Sequence, residues 1–107
     1  MGEFEEIVLL TVAVLFKEAY ALAIRTEIGK RLSRNVSIGA LHTALLRLED
    51  KGYIRSFPGE ATQERAGRPK RYFEITALGT KALDYTRQTR EDLWQAIPKQ
   101  VWRIRKA

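Results

Sequence analysis

The sequence predicts a mainly α-helical fold with one small β-hairpin, and three observations carry that reading. Up to Lys51, apolar residues recur at helical spacing in successive stretches. Beyond Gly52 the pattern shifts to two short runs rich in aromatic and β-branched residues, Tyr53 to Phe57 and Lys70 to Ile75. They flank a loop, Pro58 to Pro69, that holds Gly59, Gly67 and two prolines. From Ala77 to about Ile97 a single long helical pattern then resumes.

Taken in order, the first stretch is Ile7 to Phe16, in which every residue except Thr11 is apolar. A surface helix needs only a one-sided stripe, so this helix is expected to be covered on more than one side, part of it by a second chain. The other reading is a central helix covered wholly by its own domain. Lys17 and Glu18 make a turn, after which Ala19, Tyr20, Ala23, Ile24 and Ile28 repeat at helical spacing, with Arg25, Glu27 and Lys30 outside. This second helix is expected to end between Gly29 and Arg34, where Ser33 and Asn35 signal a connection.

The third helix, Asn35 to Lys51, follows at once. Ser37 is placed to cap its first turn, and Val36 and Leu41 stand at the two positions of a hydrophobic staple. Leu41, Leu45 and Leu48 would face a core. Gly52 supplies the left-handed residue that ends the helix, with Leu48 and Tyr53 placed to touch there. The opposite side carries Gly39, Ala40, His42, Thr43 and Arg47, with no carboxylate before Glu49 and Asp50. A face of small, polar and cationic residues suits close approach to a nucleic-acid groove. An ordinary amphipathic core helix would have the same inner stripe.

Two helices joined by a short polar turn, the second with a bare face, have the layout of a helix-turn-helix, and a hairpin beside them is a wing. Arg65, Arg68, Lys70 and Arg71 cluster at the far end of the hairpin loop, where they would neutralise phosphates. A solvated charged loop is the plainer alternative. Thr76 caps the last helix, on which Leu78, Ala82, Tyr85, Leu93 and Ile97 lie near one stripe. At 1.5 Å per residue this helix is roughly 30 Å long, more than a domain of this size covers, so its second half wants a partner. Pro98 breaks the pattern, and the basic tail, Lys99 to Ala107, with Val101, Trp102 and Ile104 interspersed, is expected first to pack exposed to solvent, with a phosphate backbone, the partner or a membrane surface as the other readings. The chain thus divides into a winged helix-turn-helix domain, residues 1–76, and a C-terminal dimerisation helix with its tail, residues 77–107.

Composition narrows the function. The chain has 107 residues, a single domain's worth, with 19 Lys and Arg against 13 Asp and Glu and a net charge of +6, which favours a polyanionic partner. It has no cysteine and one histidine, His42, which excludes disulfides, thiolate zinc sites, cysteine nucleophiles and a multi-histidine metal site. No glycine-rich phosphate loop or nucleophile–base constellation is present, so neither an enzyme nor a cofactor is expected. Acids at Glu3, Glu5 and Glu6 replace the basic start of a signal peptide, and the first apolar run is too short to span a bilayer. A cytoplasmic protein without membrane contact is expected.

Five groups of residues together resemble the PadR family of bacterial transcriptional regulators. They are Phe4 to Leu10; Ala19-Tyr20 with Ile24; Val36 to Leu41; Leu45 with Arg47-Leu48-Glu49 and Gly52-Tyr53-Ile54; and Gly67 to Phe73 with Ile75-Thr76 and Gly79. The resemblance runs from about Phe4 to Leu83. It implies a winged-helix DNA-binding domain, a homodimer formed largely through the first and last helices, and repression at palindromic operators. The chain departs from the family pattern at His42, where an aromatic is usual, and at Ala21, where glycine often follows the tyrosine. Beyond Leu83 it matches only as a generic helix, so no effector class carries over.

On this reading Ser37, Gly39, Ala40, His42, Thr43, Arg47, Arg65, Arg68, Lys70 and Arg71 form the candidate DNA surface. Some family members sense phenolic acids or aromatic drugs, which implies a small aromatic ligand, and Trp94 lies on the last helix near where two copies would meet. It would either stack on a flat apolar compound or pack in the dimer core. The alternative function is a winged-helix module that binds protein and not DNA.

Overall fold

The computed structural model describes residues 1–61 and 69–105. Arg65 and Arg68, expected at the far end of the hairpin loop, lie outside the described residues. The chain runs through α1 (Glu3–Leu15), a 3-10 turn (Phe16–Glu18), α2 (Ala21–Leu32), α3 (Ile38–Asp50), β1 (Ile54–Ala61), β2 (Pro69–Ile75), α4 (Ala77–Ala96) and α5 (Lys99–Ile104). This is a mainly helical winged helix with a long C-terminal helix, as the sequence predicts.

One apolar core joins the first three helices to the hairpin. Val8, Leu9 and Val12 of α1, Ile24 and Ile28 of α2, Leu41, Ala44, Leu45 and Leu48 of α3, Ile54 of β1 and Phe73 of β2 are all buried in it. Thr11, the one polar residue in the apolar run, is buried and donates its hydroxyl to the Ile7 carbonyl at 2.7 Å, so its burial leaves nothing unpaired. Only one side of α1 is covered by the described residues of its own chain: Leu10 and Val14 are exposed, which rules out the wholly covered central helix.

The second helix starts later than its apolar spacing suggests. Ala19 and Tyr20 precede α2 as a piece of extended chain: the Ala19 carbonyl accepts the Phe73 N–H at 2.8 Å, and Tyr20 bridges Tyr72. Ala19 is buried here by sheet pairing, a spacing that a helix would mimic. The hairpin also runs further than expected. β1 continues through Pro58 and Gly59 to Ala61, with Pro58 opposite Arg71 and a register shift before the Ala61–Pro69 pair. Pro58 is tolerated because a two-stranded sheet is all edge.

α4 begins on the core and then leaves it. Thr76 caps it, its hydroxyl accepting the Gly79 N–H at 3.0 Å and donating to the Gly52 carbonyl at 2.6 Å. Gly79 is buried against the Tyr53 backbone, and Leu83 packs on the core edge. Past that point the Arg90–Glu6 ion pair, at 2.7 Å, ties α4 to α1. The stripe of Leu78, Tyr85 and Leu93 lies on the uncovered side. The basic tail forms a helix of its own, α5, and folds Trp102 onto Trp94 with ring centroids 5.6 Å apart and planes 8° apart. The radius of gyration is 17.2 Å, against about 13 Å for a compact chain of this length, because α4 and α5 extend away from the core.

Candidate nucleic-acid interface

α3 is fixed at both ends by local chemistry. The Ser37 hydroxyl accepts the Ala40 N–H at 3.1 Å, and buried Val36 and Leu41 occupy the staple positions. At the other end the Tyr53 N–H reaches the Leu48 carbonyl at 3.0 Å and the Gly52 N–H reaches the Glu49 carbonyl at 2.9 Å, with Gly52 at φ +78°. That pair of bonds is a Schellman ending. A helix pinned in this way, with Leu41, Ala44, Leu45 and Leu48 buried behind it, presents a rigid outer face.

The outer face consists of two ridges, because residues four apart stand one above the other on a helix. Gly39, Thr43 and Arg47 form the first, with Ala40 beside it. Together they line a cavity of about 500 Å³ toward the N-terminal end of α1. Along α3 itself no carboxylate precedes Glu49, but the fold supplies one from α1. Glu5 lies 2.6 Å from the Lys51 ammonium and 3.8 Å from the Arg47 guanidinium. Arg47 therefore leans on an acid that is 42 residues away in the chain, while most of its side chain remains exposed.

Ile38, His42 and Leu46 form the second ridge, which lines a cavity of about 490 Å³ toward the hairpin. Lys70 and Arg71 reach the same cavity from β2. The Lys70 ammonium sits 4.1 Å from the centroid of the Tyr20 ring, a cation–π contact. Arg71 donates to the Ser56 hydroxyl at 2.9 Å, and Ser56 donates in turn to a Glu49 carboxylate oxygen at 2.7 Å. The structure thus brings His42, Lys70 and Arg71 together on one side of α3 and Gly39, Ala40, Thr43 and Arg47 on the other. Ser37 stands at the end between them, its hydroxyl already committed as an acceptor.

Three residues of this surface escape a reading of α3 as small and polar. Ile38 and Leu46 are apolar yet 47% and 62% exposed, and their four-residue spacing from His42 is visible in the sequence. Glu5 has no local signal at all.

Trp94 lies apart from this surface. It is 60% exposed, carries Trp102 on one face, and lines a cavity of about 570 Å³ with Leu10 and Glu6 of α1 and Leu83, Arg87 and Arg90 of α4. Among the described residues no group of three or more His, Asp or Glu side chains is placed to hold a metal ion, and no helix is long and apolar enough to cross a membrane.

Comparison with known proteins agrees with this architecture. The chain superposes on a PadR-like transcription factor from Bacteroides fragilis with a TM-score of 0.72 and 28% identity, covering 86% of this chain and 84% of that one. For a PadR family transcription regulator from Clostridium difficile the values are 0.65 and 26%, over 83% and 91%. A PadR-like transcriptional regulator from Bacillus cereus shares the fold with a TM-score of 0.70 at 21% identity, over 86% and 84%. A comparison with curated proteins gives no match. The sequence pattern of the Transcriptional regulator PadR-like family matches residues 9–85, from the buried part of α1 through the start of α4. The chain belongs to the PadR-like family of transcriptional regulators.

Proposed function

We propose that this regulator binds duplex DNA as a homodimer and represses at a palindromic operator. Residues 1–76 make the DNA contact, and residues 77–107 together with α1 make the dimer. The observation that carries the reading is the Gly39–Thr43–Arg47 ridge, small enough for the backbone to approach a groove edge, on a helix fixed at both ends. Thr43 and Arg47 reach base edges or phosphates from it. Lys70 and Arg71, with Arg65 and Arg68, which precede them in the sequence, supply phosphate neutralisation, which adds affinity without sequence information. Two copies joined through α1 and α4 would set their α3 helices about one helical turn apart, roughly 34 Å.

Titration against random duplex and against a duplex selected from random DNA, at low and moderate salt, tests the proposal. Selection should yield a two-fold symmetric site. Arg68→Ala should weaken binding to both duplexes and flatten the slope of log affinity against log salt by about 1 per lost contact, or about 2 per dimer. Thr43→Ala should lower the ratio of specific to random binding. Failure to bind any duplex would favour a protein-binding module instead.

The effector part of the proposal rests on Trp94, whose outer face borders the α1–α4 cavity. A flat aromatic compound stacking there would bear on the dimer contact and release DNA. Planar aromatic compounds that leave both tryptophan fluorescence and DNA affinity unchanged would remove this part alone.

A further inference from the structure

We infer that Leu46 reads the C5-methyl group of a thymine, which gives this regulator a preference for an A·T pair at one position of each half-site. The inference rests on the DNA-binding proposal and goes beyond its polar contacts. One exposed leucine on a protein surface is ordinary. Here Leu22 of α2 and Ile38 and Leu46 of α3, each roughly half exposed or more, line a single cavity with the cations Lys70 and Arg71 at its edge. Such a cluster offers an apolar contact to a partner that docks beside the cations.

The surrounding charge selects among partners. His42, Lys70 and Arg71 border the cavity, and Glu49, the one acid lining it among the described residues, is held by Ser56, so a second copy would bring like charges together. A polyanion with small apolar islands fits better. The major groove of DNA has one such island, the thymine methyl, framed by phosphates. Leu46 is the ridge residue placed to meet it. It stands one turn beyond His42 on the same ridge, beside the neighbouring ridge that holds Thr43, and one turn before Asp50 ends the helix. With four side-chain carbons and no polar atom, it can discriminate thymine from cytosine only through that methyl.

The test removes the methyl and nothing else. In a duplex selected as above, each thymine is replaced in turn by deoxyuridine, and affinity is measured for the wild type and for Leu46→Ala, with Ile38→Ala as a second variant. One thymine per half-site should lose about fourfold with the wild type on replacement, the value of burying one methyl-sized group, and about fifteenfold when both half-sites are replaced. Leu46→Ala should bind the thymine and deoxyuridine duplexes equally, while Ile38→Ala should keep the difference. Leu46 is largely exposed, so its truncation should leave the thermal transition in place, and a melt of each variant checks this. Specific binding that is insensitive to deoxyuridine at every position would overturn the inference and leave the function proposal standing. So would equal sensitivity in Leu46→Ala. If no specific duplex can be selected, the function proposal fails and the inference fails with it.

Discussion

Helices α3 and α4 both turn much of their surface outward, and they do so in different ways. α3 buries four side chains within 13 residues and is tied down at each end, so what it exposes is held at a fixed height above the core. α4 is 20 residues long and buries only Gly79. Its outer positions include Tyr85, Leu93 and Trp94, bulky groups whose exposure is costly, whereas the first ridge of α3 offers glycine, threonine and arginine. A face of small and hydrogen-bonding groups is suited to a polar, grooved partner, and a face of large apolar groups to another protein surface of the same kind. Exposure alone does not mark a functional surface; the chemistry of what is exposed tells which partner it fits.

The largest expected effect comes from altering the α4 side of this contrast. Leu93→Asp places a charge on the proposed dimer face. It should convert the species seen in light scattering at micromolar concentration to monomer and cost roughly 100-fold in operator affinity through lost bivalency. A wild type that is already monomeric would break the comparison, because α4 would then expose its apolar face without a partner.

Gly79→Ala acts where α4 meets the core. A Cβ there would lie 2.2 Å from the Tyr53 carbonyl oxygen and 2.8 Å from an Ile75 side-chain carbon, so the helix start must shift. Overpacking of this kind costs about 1–3 kcal/mol. The midpoint of thermal unfolding should fall by roughly 4–8 °C for each kcal/mol. An unchanged melt would show that α4 is not anchored at this point.

The two N-caps sharpen the contrast. Ser37→Ala and Thr76→Ala each remove a hydroxyl that accepts a backbone N–H, worth about 1 kcal/mol of stability. Thr76→Ala should cost more, since its hydroxyl also donates to the Gly52 carbonyl. Only Ser37→Ala should lower DNA affinity beyond its effect on stability. Equal losses of affinity in both variants would mean that the first turn of α3 has no special part in binding.

The smallest effect is at Glu5. Glu5→Gln frees Arg47 and Lys51 from a shared carboxylate and should raise affinity for random duplex by up to about fivefold while lowering the specific-to-random ratio. If random binding is unchanged, Glu5 does not restrain Arg47.

Much of α3 is legible in the amino-acid sequence, because its signals are local. Ser37, Val36 and Leu41 at one end and Leu48, Gly52 and Tyr53 at the other act within five or six residues: Ser37 caps the helix, Val36 and Leu41 are buried, and Gly52 and Tyr53 close its end by backbone hydrogen bonds. The same holds for Thr76 at the start of α4. Ala19 and Tyr20 mislead, because a buried alanine beside an aromatic satisfies a helical repeat as well as a sheet edge. Only the distant Phe73 N–H decides between the two. The hairpin extends to Ala61 past Pro58 for a related reason: strand pairing depends on the opposite strand, and a proline limits but does not forbid an edge.

Sequence alone determined the helix caps, the apolar stripes and the small polar Gly39–Thr43–Arg47 ridge of α3, which follow from interactions between near neighbours, and it carried enough of the family pattern to point to the wing. Tertiary structure decided what those elements meet. It brought Glu5 to Arg47 and Lys51 across more than 40 residues, aligned Ile38 and Leu46 with Lys70 and Arg71 along one cavity, and turned the basic tail into a helix that stacks Trp102 on Trp94. Contacts of this kind depend on how separately formed elements pack, and no local spacing encodes that packing.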